Sequence, residues 1–492
     1  MNIAIRADAS VHIGAGHVMR CLALADELRR QGAHIVFLCG ELEGHMAATV
    51  EAWHFKVILL PMVAWQEDAQ HTIAALAVQT DWLIVDHYGL DQRWQQILRA
   101  HTQNLMVIDD LVNRALLCDV LLNQNTGVCA AQYQAYIPAH CQLLLGAQFA
   151  LIRPEFRRSR SKALKKRQEY QTLQRILVSI GGMDVDNMTA AVLAALAQVP
   201  WQLPPVVDVV LNAQSAHLAN VRAQARQHPL LTQVHTSANM AELMLQADLA
   251  VGAAGSTAWE RCCLGLPTVA IQVADNQAVV IEPLARLGAH LAITTVSDDI
   301  VHDIAEKVTA LMQSPERMHQ LSTVAASICH GLGAVWVGLA IDPVLARDGE
   351  KIELIDATLA HAEMILAWQR YPETRQYANN PSVPNRAEHV EWMRAKISSP
   401  MGYFWVIQHG GEAAGILRLD QRPDSLGYVL SIFVIPAKYR LGIAFAVLQV
   451  VKRLHLGVDI YAQVMVDNQA SVGLFKRAEF IQIQPDLFVW RD

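Results

Sequence analysis

The chain has 492 residues, with 39 lysines and arginines against 46 aspartates and glutamates, for a formal charge of −7. At roughly 150 residues per domain that is about three domains. A composition that is 53% hydrophobic excludes a disordered chain and supplies several cores, and the acidic balance excludes a general nucleic-acid coat. Mean hydropathy is +0.21, yet no stretch approaches the ~18 uninterrupted apolar residues of a membrane span. The opening MNIAIRAD lacks the pattern of a signal peptide, so a cytoplasmic chain without membrane insertion is expected. Cys262 and Cys263 are adjacent, and Cys118, Cys129 and Cys141 have no CxxC spacing; free thiols and no zinc site are expected.

Residues 1–156 read as a first block. A buried strand at 2–6 leads into a turn holding Gly14, Gly16 and His17. A helix follows, with Val18, Cys21, Leu22, Ala25 and Leu28 at helical spacing until Gly32 stops it. Strands at 35–39, 56–60, 82–85, 105–108 and 120–122 alternate with helices, the signature of a doubly wound parallel sheet. Residues 157–172 then interrupt the pattern with Arg157, Arg158, Arg160, Lys162, Lys165, Lys166 and Arg167. This basic stretch reads as a solvated helix or interdomain connection.

The second block, 173–342, repeats the α/β alternation. Its strands are predicted at 175–180, 206–211, 248–251 and 268–271, with a helix from about residue 187. Two α/β domains in succession place a substrate site between them. The third block, 351–492, reads as an α+β unit: a helical beginning, strands at 404–409 and 413–419, a strand at 428–435 leading through a turn into a helix near Gly442, a strand at 459–464 and a helix from Asn468. Residues 343–350 form the boundary.

A glycine turn between a first strand and first helix brings backbone amides near a phosphate. The dinucleotide pattern GxGxxG is not completed, because Arg20 stands at its third glycine, which argues against NAD. His17 instead occupies the helix N-terminus, whose positive end disfavours imidazolium and favours a ring able to accept a proton. With Asp8 and Ser10 beside the turn, His17 is the candidate catalytic residue.

The run Arg6, Asp8, Ser10, Gly14, Gly16, His17, Arg20, Cys21, Leu22 strongly resembles the UDP-2,4-diacetamido-2,4,6-trideoxy-β-L-altropyranose hydrolases. The likeness continues through Val85-Asp86-His87-Tyr88, Ile108-Asp109-Asp110-Leu111, Leu151-Ile152-Arg153-Pro154-Glu155-Phe156 and Ser179-Ile180-Gly181-Gly182-Met183-Asp184. It implies the architecture of the two-domain inverting glycosyltransferases and metal-free removal of UDP by water attack at the anomeric carbon. His17 would activate the water and Asp8 would help orient the water or the ring. Tyr88 and Asn276 would contact the sugar or diphosphate, and the family's ribose-binding acid falls on Glu260, with Gln277 as its companion. Gly14, Gly16, Gly181, Gly182, Gly255 and Ser256 would offer amides or a hydroxyl to the nucleotide. The family's aspartate-glycine pair and arginine near the end of this domain are replaced by the stretch from His330 to Trp336.

In the third block, residues 428–435 and the turn after them resemble the acetyl-coenzyme A site of the GNAT acetyltransferases. The resemblance implies that Phe433 and Val434 align the pantetheine arm and that Tyr439, Arg440, Leu441, Gly442, Ile443 and Ala444 receive the pyrophosphate. Asn468 and Ser471 belong to the later cofactor segment. Tyr439 takes the place of arginine or glutamine, Arg440 that of a common glycine, and Phe475 that of a tyrosine found in many relatives.

The expected fold is therefore α/β: two Rossmann-like domains in a GT-B-like arrangement followed by an α+β GNAT domain. The expected protein is a bifunctional enzyme of pseudaminic acid biosynthesis, using acetyl-CoA, a UDP-linked amino-deoxy sugar and no metal. The alternatives are a UDP-sugar glycosyltransferase with an attached acyltransferase, and a hydrolase with a degenerate GNAT domain.

Overall fold

The computed structural model describes residues 1–76, 79–295, 299–378, 380 and 382–491; Asp492, the end of the predicted third block, lies outside them. Strands β1 (Asn2–Ala7), β2 (His34–Gly40), β3 (Lys56–Leu60), β4 (Trp82–Asp86), β5 (Asn104–Ile108), β6 (Val120–Asn123) and β7 (Gln142–Leu145) form one parallel sheet in the order β3-β2-β1-β4-β5-β6-β7. Every residue of β4, Trp-Leu-Ile-Val-Asp, is buried, as a central strand covered on both faces requires. Strands β8 (Arg175–Ser179), β9 (Val206–Val210), β10 (Thr232–His235), β11 (Leu249–Ala253), β12 (Thr268–Ile271) and β13 (Leu291–Ile293) form a second parallel sheet, β10-β9-β8-β11-β12-β13. In both sheets the strand order reverses beside the first strand, between β1 and β4 and between β8 and β11. The carboxyl ends of those strands frame a crevice where ligands of such sheets bind.

A third sheet joins β14 (Ile352–Asp356), β15 (Tyr403–His409), β16 (Glu412–Gln421), β17 (Tyr428–Val434), β18 (Ile460–Gln463), β19 (Ile481–Gln484) and β20 (Leu487–Trp490) in the order β14-β15-β16-β17-β18-β20-β19. All its pairs are antiparallel except β17 with β18. The third block begins with this strand β14 and not with a helix: Ile352 and Leu354 alternate with Glu353, and the strand pairs with β15 from Ile352↔His409 to Asp356↔Trp405. Strands β7, β10, β13, β19 and β20, each three or four residues long, were not predicted from the sequence.

The described chain forms two compact units: residues 1–156 with 167–338, and residues 157–166 with 339–492. The two parallel sheets thus belong to one unit, and the middle of the helix Pro154–Gln168 belongs to the other. The expectation of a solvated basic stretch holds for Arg158 and Lys162, which are exposed, and fails for three of its arginines. Arg157, Arg160, Ser161 and Arg167 are 3%, 1%, 4% and 6% exposed. In the second unit, Arg157 Nε donates to the His455 carbonyl at 3.0 Å, Arg160 Nη2 to Pro400 O at 3.1 Å, and the Ser161 hydroxyl meets Tyr428 Oη at 2.8 Å. In the first unit, Arg167 donates to the carbonyls of Met244, Ala247 and Leu264 at 2.8, 2.9 and 3.0 Å, satisfying helix C-terminal acceptors.

The helical run Pro315–Ile341 is long and apolar enough to cross a membrane by length and composition, but 67% of its most apolar window is buried within the protein. Met318 and Leu321 pack into the core of the second parallel sheet. All eight cysteines are free thiols. One buried histidine gives the first unit an acid sensitivity. His290, bonded through Nε2 to the Ile281 carbonyl at 2.9 Å, has its pKa pushed down to about 4 by burial. Its native form therefore binds fewer protons than the unfolded chain below the ordinary histidine range. Stability is full above pH ~6.5 and falls by about 3 kcal/mol as pH drops towards 4. Chemical denaturation between pH 7 and 4 is expected to show this slope, and His290→Gln to flatten it.

Candidate functional site

The β1–β4 crevice is built by a tight turn and a helix. Gly14, at φ +80°, donates its amide to Ser10 O at 2.8 Å, and the Ser10 hydroxyl accepts from Ile13 N at 2.9 Å. The helix Gly16–Arg30 starts at once, which puts His17 in its first turn at the carboxyl end of β1. Register does the rest: Ala7 lies opposite Asp86, the last residue of β4.

His17 Nδ1 is 2.7 Å from Asp86 Oδ1. Arg20, one turn along the same helix, grips that carboxylate with Nε at 2.6 Å and Nη2 at 2.7 Å. Burial pushes the Asp86 carboxyl up, but Arg20 first and His17 next pull it well below the usual carboxylate range, so it is ionised. An ionised Asp86 receives the Nδ1 proton and leaves the Nε2 lone pair as the basic position. The other face of Arg20 meets Asp110, Nη1 to Oδ2 at 2.8 Å. Tyr88 donates its hydroxyl to the same Oδ2 at 3.2 Å and sets its ring edge-on to His17 with centroids 4.7 Å apart. Burial and Asp110 hold the phenol well above its ordinary pKa, so it stays a donor. His17, Asp86, Arg20, Asp110 and Tyr88 form a closed ring of contacts.

Of the predicted residues, His17 and Tyr88 come together here. Among the described residues no bond joins Asp8 to His17. Asp8 accepts from Gly40 N at 2.6 Å, pairs with Arg6 and lies 3.1 Å from His87 Nε2, while Arg6 continues to Asp68 at 2.8 Å. The His87 contact and Arg6 hold Asp8 far below the usual range against burial. The carboxylate that serves His17 is Asp86, which lies 69 residues away. Its run Val85-Asp86-His87-Tyr88 was legible, but its partner was not. Adjacent Asp109 and Asp110 have different partners, Asp109 accepting from Tyr133 Oη at 2.8 Å and Asp110 pairing with Arg20.

At the β8–β11 crevice, an added Cβ on Gly181 or Gly255 would meet nothing within 4 Å, and Gly181 has φ +121°. Gly182 has only Asn212 near it. The helix Met188–Gln198 is already capped, its Met188 and Thr189 amides donating to the Asp184 carboxylate at 2.9 Å each. An anion here would therefore meet glycine amides, not that helix. Ser256 precedes the helix Thr257–Cys263, and its side chain makes no cap. Under the loop, buried Arg261 donates to Ala253 O at 2.7 Å and Thr257 Oγ1 at 3.2 Å. A side chain at Gly252 would come within 2.9 Å of that guanidinium and 2.7 Å of Ser179 O, so glycine is required there. Burial pushes Arg261 down to about 10, leaving it cationic at neutral pH. Glu260 is held by Arg153 at 3.0 Å. Asn276 is exposed in the turn Asp275–Gln277, and Gln277 Oε1 is occupied by the Val273 amide at 3.1 Å.

In the second unit, β17 pairs with β16 along its length but with β18 only at Tyr428↔Ile460 and Val429↔Tyr461. The strands then part, leaving the β18-facing backbone of residues 430–434 outside the ladder, where an extended amide-containing chain can bond. Phe433 packs against Trp368, centroids 6.4 Å apart, and Val434 is 8% exposed. Tyr439 is 47% exposed. Arg440, at φ +64°, takes the left-handed conformation of the glycine it replaces. Leu441 O accepts from Arg347 N at 2.9 Å, and Gly442, at φ +84°, opens the helix Ile443–Arg453 that contains Ile443 and Ala444. Asn468 caps its own helix, its side-chain Oδ1 accepting from Ser471 N at 3.0 Å, so that oxygen and that amide are committed to each other. Phe475 packs in the core, edge-on to Phe480 at 5.1 Å and stacked on Phe488 at 5.8 Å. Gly415 faces Val434, and a Cβ there would lie 2.1 Å from Phe433 O. Gly415→Ala is expected to force β16 from β17 and destabilise the second unit by about 2 kcal/mol or more, read by its melting temperature and by a raised KM for acetyl-CoA.

Residues 364–480 match the model of the acetyltransferase (GNAT) family. The N-terminal region is 24% identical over 291 residues to the UDP-2,4-diacetamido-2,4,6-trideoxy-beta-L-altropyranose hydrolase of Campylobacter jejuni, covering 58% of this chain and 97% of that protein. It is 26% identical over 293 residues to the spore coat polysaccharide biosynthesis protein SpsG of Bacillus subtilis, covering 59% and 83%. Among solved structures, MurG of Acinetobacter baumannii superposes with a TM-score of 0.53 at 15% identity over 69% of this chain and 98% of its own. That likeness establishes a GT-B-like fold for the first unit, and the family match a separate GNAT domain in the second.

Proposed function

We propose that the chain is a bifunctional sugar-nucleotide enzyme of pseudaminic acid biosynthesis, acting in the cytoplasm. The second unit acetylates the 4-amino group of a UDP-linked amino-deoxy-altrose with acetyl-CoA. The first unit then hydrolyses the resulting UDP-2,4-diacetamido sugar to UDP and free sugar without a metal. The observation that supports this most directly is the His17–Asp86 pair, 2.7 Å apart, at the strand-order reversal of the first sheet.

In the hydrolytic step, Asp86 fixes the His17 ring and stabilises the imidazolium as His17 Nε2 takes a proton from water. The water oxygen bonds to the anomeric carbon as the bond to the diphosphate oxygen breaks. The departing charge falls on UDP, for which the amides near Gly181 and Gly255 and the buried Arg261 supply positive potential. In the acetyl transfer, the sugar amine attacks the thioester carbonyl and coenzyme A leaves as the thiol. Joining consecutive steps in one chain raises the local concentration of the intermediate.

The assay is the purified chain with the UDP-linked 4-amino sugar, with and without acetyl-CoA, following product mass and UDP together. Acetylated sugar nucleotide followed by UDP is expected. Without an acetylated intermediate the transferase assignment falls, and the degenerate GNAT domain takes its place. UDP release that requires an added acceptor sugar or lipid establishes a glycosyltransferase instead.

A further inference from the structure

Glu260 is 8% exposed. Both bonds it receives, from Arg153 Nε at 3.1 Å and Nη2 at 3.0 Å, fall on Oε1. Oε2 is buried and has no hydrogen-bond partner among the described residues. A buried carboxylate oxygen left bare is costly, and the atom is a ready acceptor for a hydroxyl donor. Arg153 itself lies on the segment that leaves the first sheet for the second. There Leu151 N donates to Gln124 Oε1 at 3.1 Å, and the guanidinium sits over the Phe156 ring at 4.9 Å and 3.3 Å from Glu155 Oε1. Phe156 and Glu155 thus hold the arginine in addition to Glu260.

We propose that Arg153 is a positioning residue of the nucleotide site: by holding Oε1 it turns Glu260 so that Oε2 is left to accept from a ribose hydroxyl of a uridine nucleotide, the role that the family resemblance implies for this acid. This rests on the reading that the first unit binds UDP. The charged groups facing Glu260 are Arg153, Glu155 and Arg261; burial pushes its pKa up, Arg153 opposes that most, and Glu155 adds to it. Removing Arg153 leaves burial and Glu155 opposed by Arg261 alone, so Glu260 takes up a proton more readily and loses the acceptor it offers. The segment between the two sheets then reports on ribose occupancy, because its arginine and the ribose share one carboxylate.

The test is calorimetric titration of the full chain with UDP and with 2′,3′-dideoxy-UDP at pH 6, 7 and 8. The wild type is expected to prefer UDP by about tenfold, the worth of a hydrogen bond to a charged group. Arg153→Met is expected to weaken UDP about tenfold at pH 7, more at pH 6 than at pH 8, and to leave dideoxy-UDP within about twofold. Arg153→Lys restores the charge and most of the affinity. Glu260→Gln removes both the preference and the pH dependence, and decides the matter should Arg153→Met not fold. Equal weakening of both nucleotides by Arg153→Met, or an unchanged preference in Glu260→Gln, overturns the proposal. A wild type that binds neither nucleotide overturns the UDP reading of the unit and this inference with it.

Discussion

Replacing His17 by glutamine is expected to lower UDP release by about 10³-fold or more while leaving acetylation of the amino sugar intact. Glutamine keeps approximate size but has no lone pair that a water proton can occupy at neutral pH. The site adds a second, sharper expectation. Asp86→Asn is expected to cost about 10²-fold or more, because it removes the charge that stabilises the imidazolium and leaves Arg20 without the carboxylate it grips at 2.6 and 2.7 Å. Tyr88→Phe, which removes only the hydroxyl bond to Asp110 at 3.2 Å, should cost less than about tenfold. The check is kcat/KM for UDP release beside the acetylation rate of the same preparation. Hydrolysis within tenfold of wild type in His17→Gln would end its assignment as the base. Loss of both activities together would signal unfolding.

The second large effect concerns stability. A fragment of residues 339–492 carries the whole third sheet but lacks Arg157, Arg160 and Ser161, which bond the carbonyls of His455 and Pro400 and the hydroxyl of Tyr428. Tyr428 opens β17, the strand whose far end parts from β18. At about 1 kcal/mol per bond plus the apolar cover lost from Ala163 and Leu164, which are 0% and 4% exposed, several kcal/mol disappear. That is a large share of a domain's stability. The fragment is expected to be insoluble or to melt at least about 10 °C lower. Residues 154–168 fused to it through a flexible linker should restore folding and acetyl-CoA binding. A fragment as stable as the full chain's second unit would show that the helix is dispensable.

How much was legible in the sequence varied with the range of the interaction. Long buried runs such as Leu-Ile-Val in β4 and the helical spacing of Val18, Cys21, Leu22 and Ala25 are local patterns, and the strands and first helix appear where those patterns put them. His17 could be singled out because a glycine turn followed by a helix is local too. Asp86 could not be assigned to it, because the β1–β4 register that joins them depends on two intervening βα units. Asp8, only nine positions from His17, was the natural partner by sequence distance. Its carboxylate, however, is taken up by Arg6, Gly40 and His87.

The amino-acid sequence alone determined that this is an α/β chain of several cores, with glycine turns at the first strand of each parallel sheet and an α+β unit after them. Those features follow from periodicity and from residues that few backbones tolerate elsewhere. Only the tertiary structure decided which carboxylate serves His17, that Glu260 keeps one oxygen bare, and that a helix rich in arginine is core to the acetyltransferase unit. Charge in a sequence indicates solvent until partners are known. Arg157 and Arg160 are buried because carbonyls far along the chain accept their protons, and no local pattern encodes that.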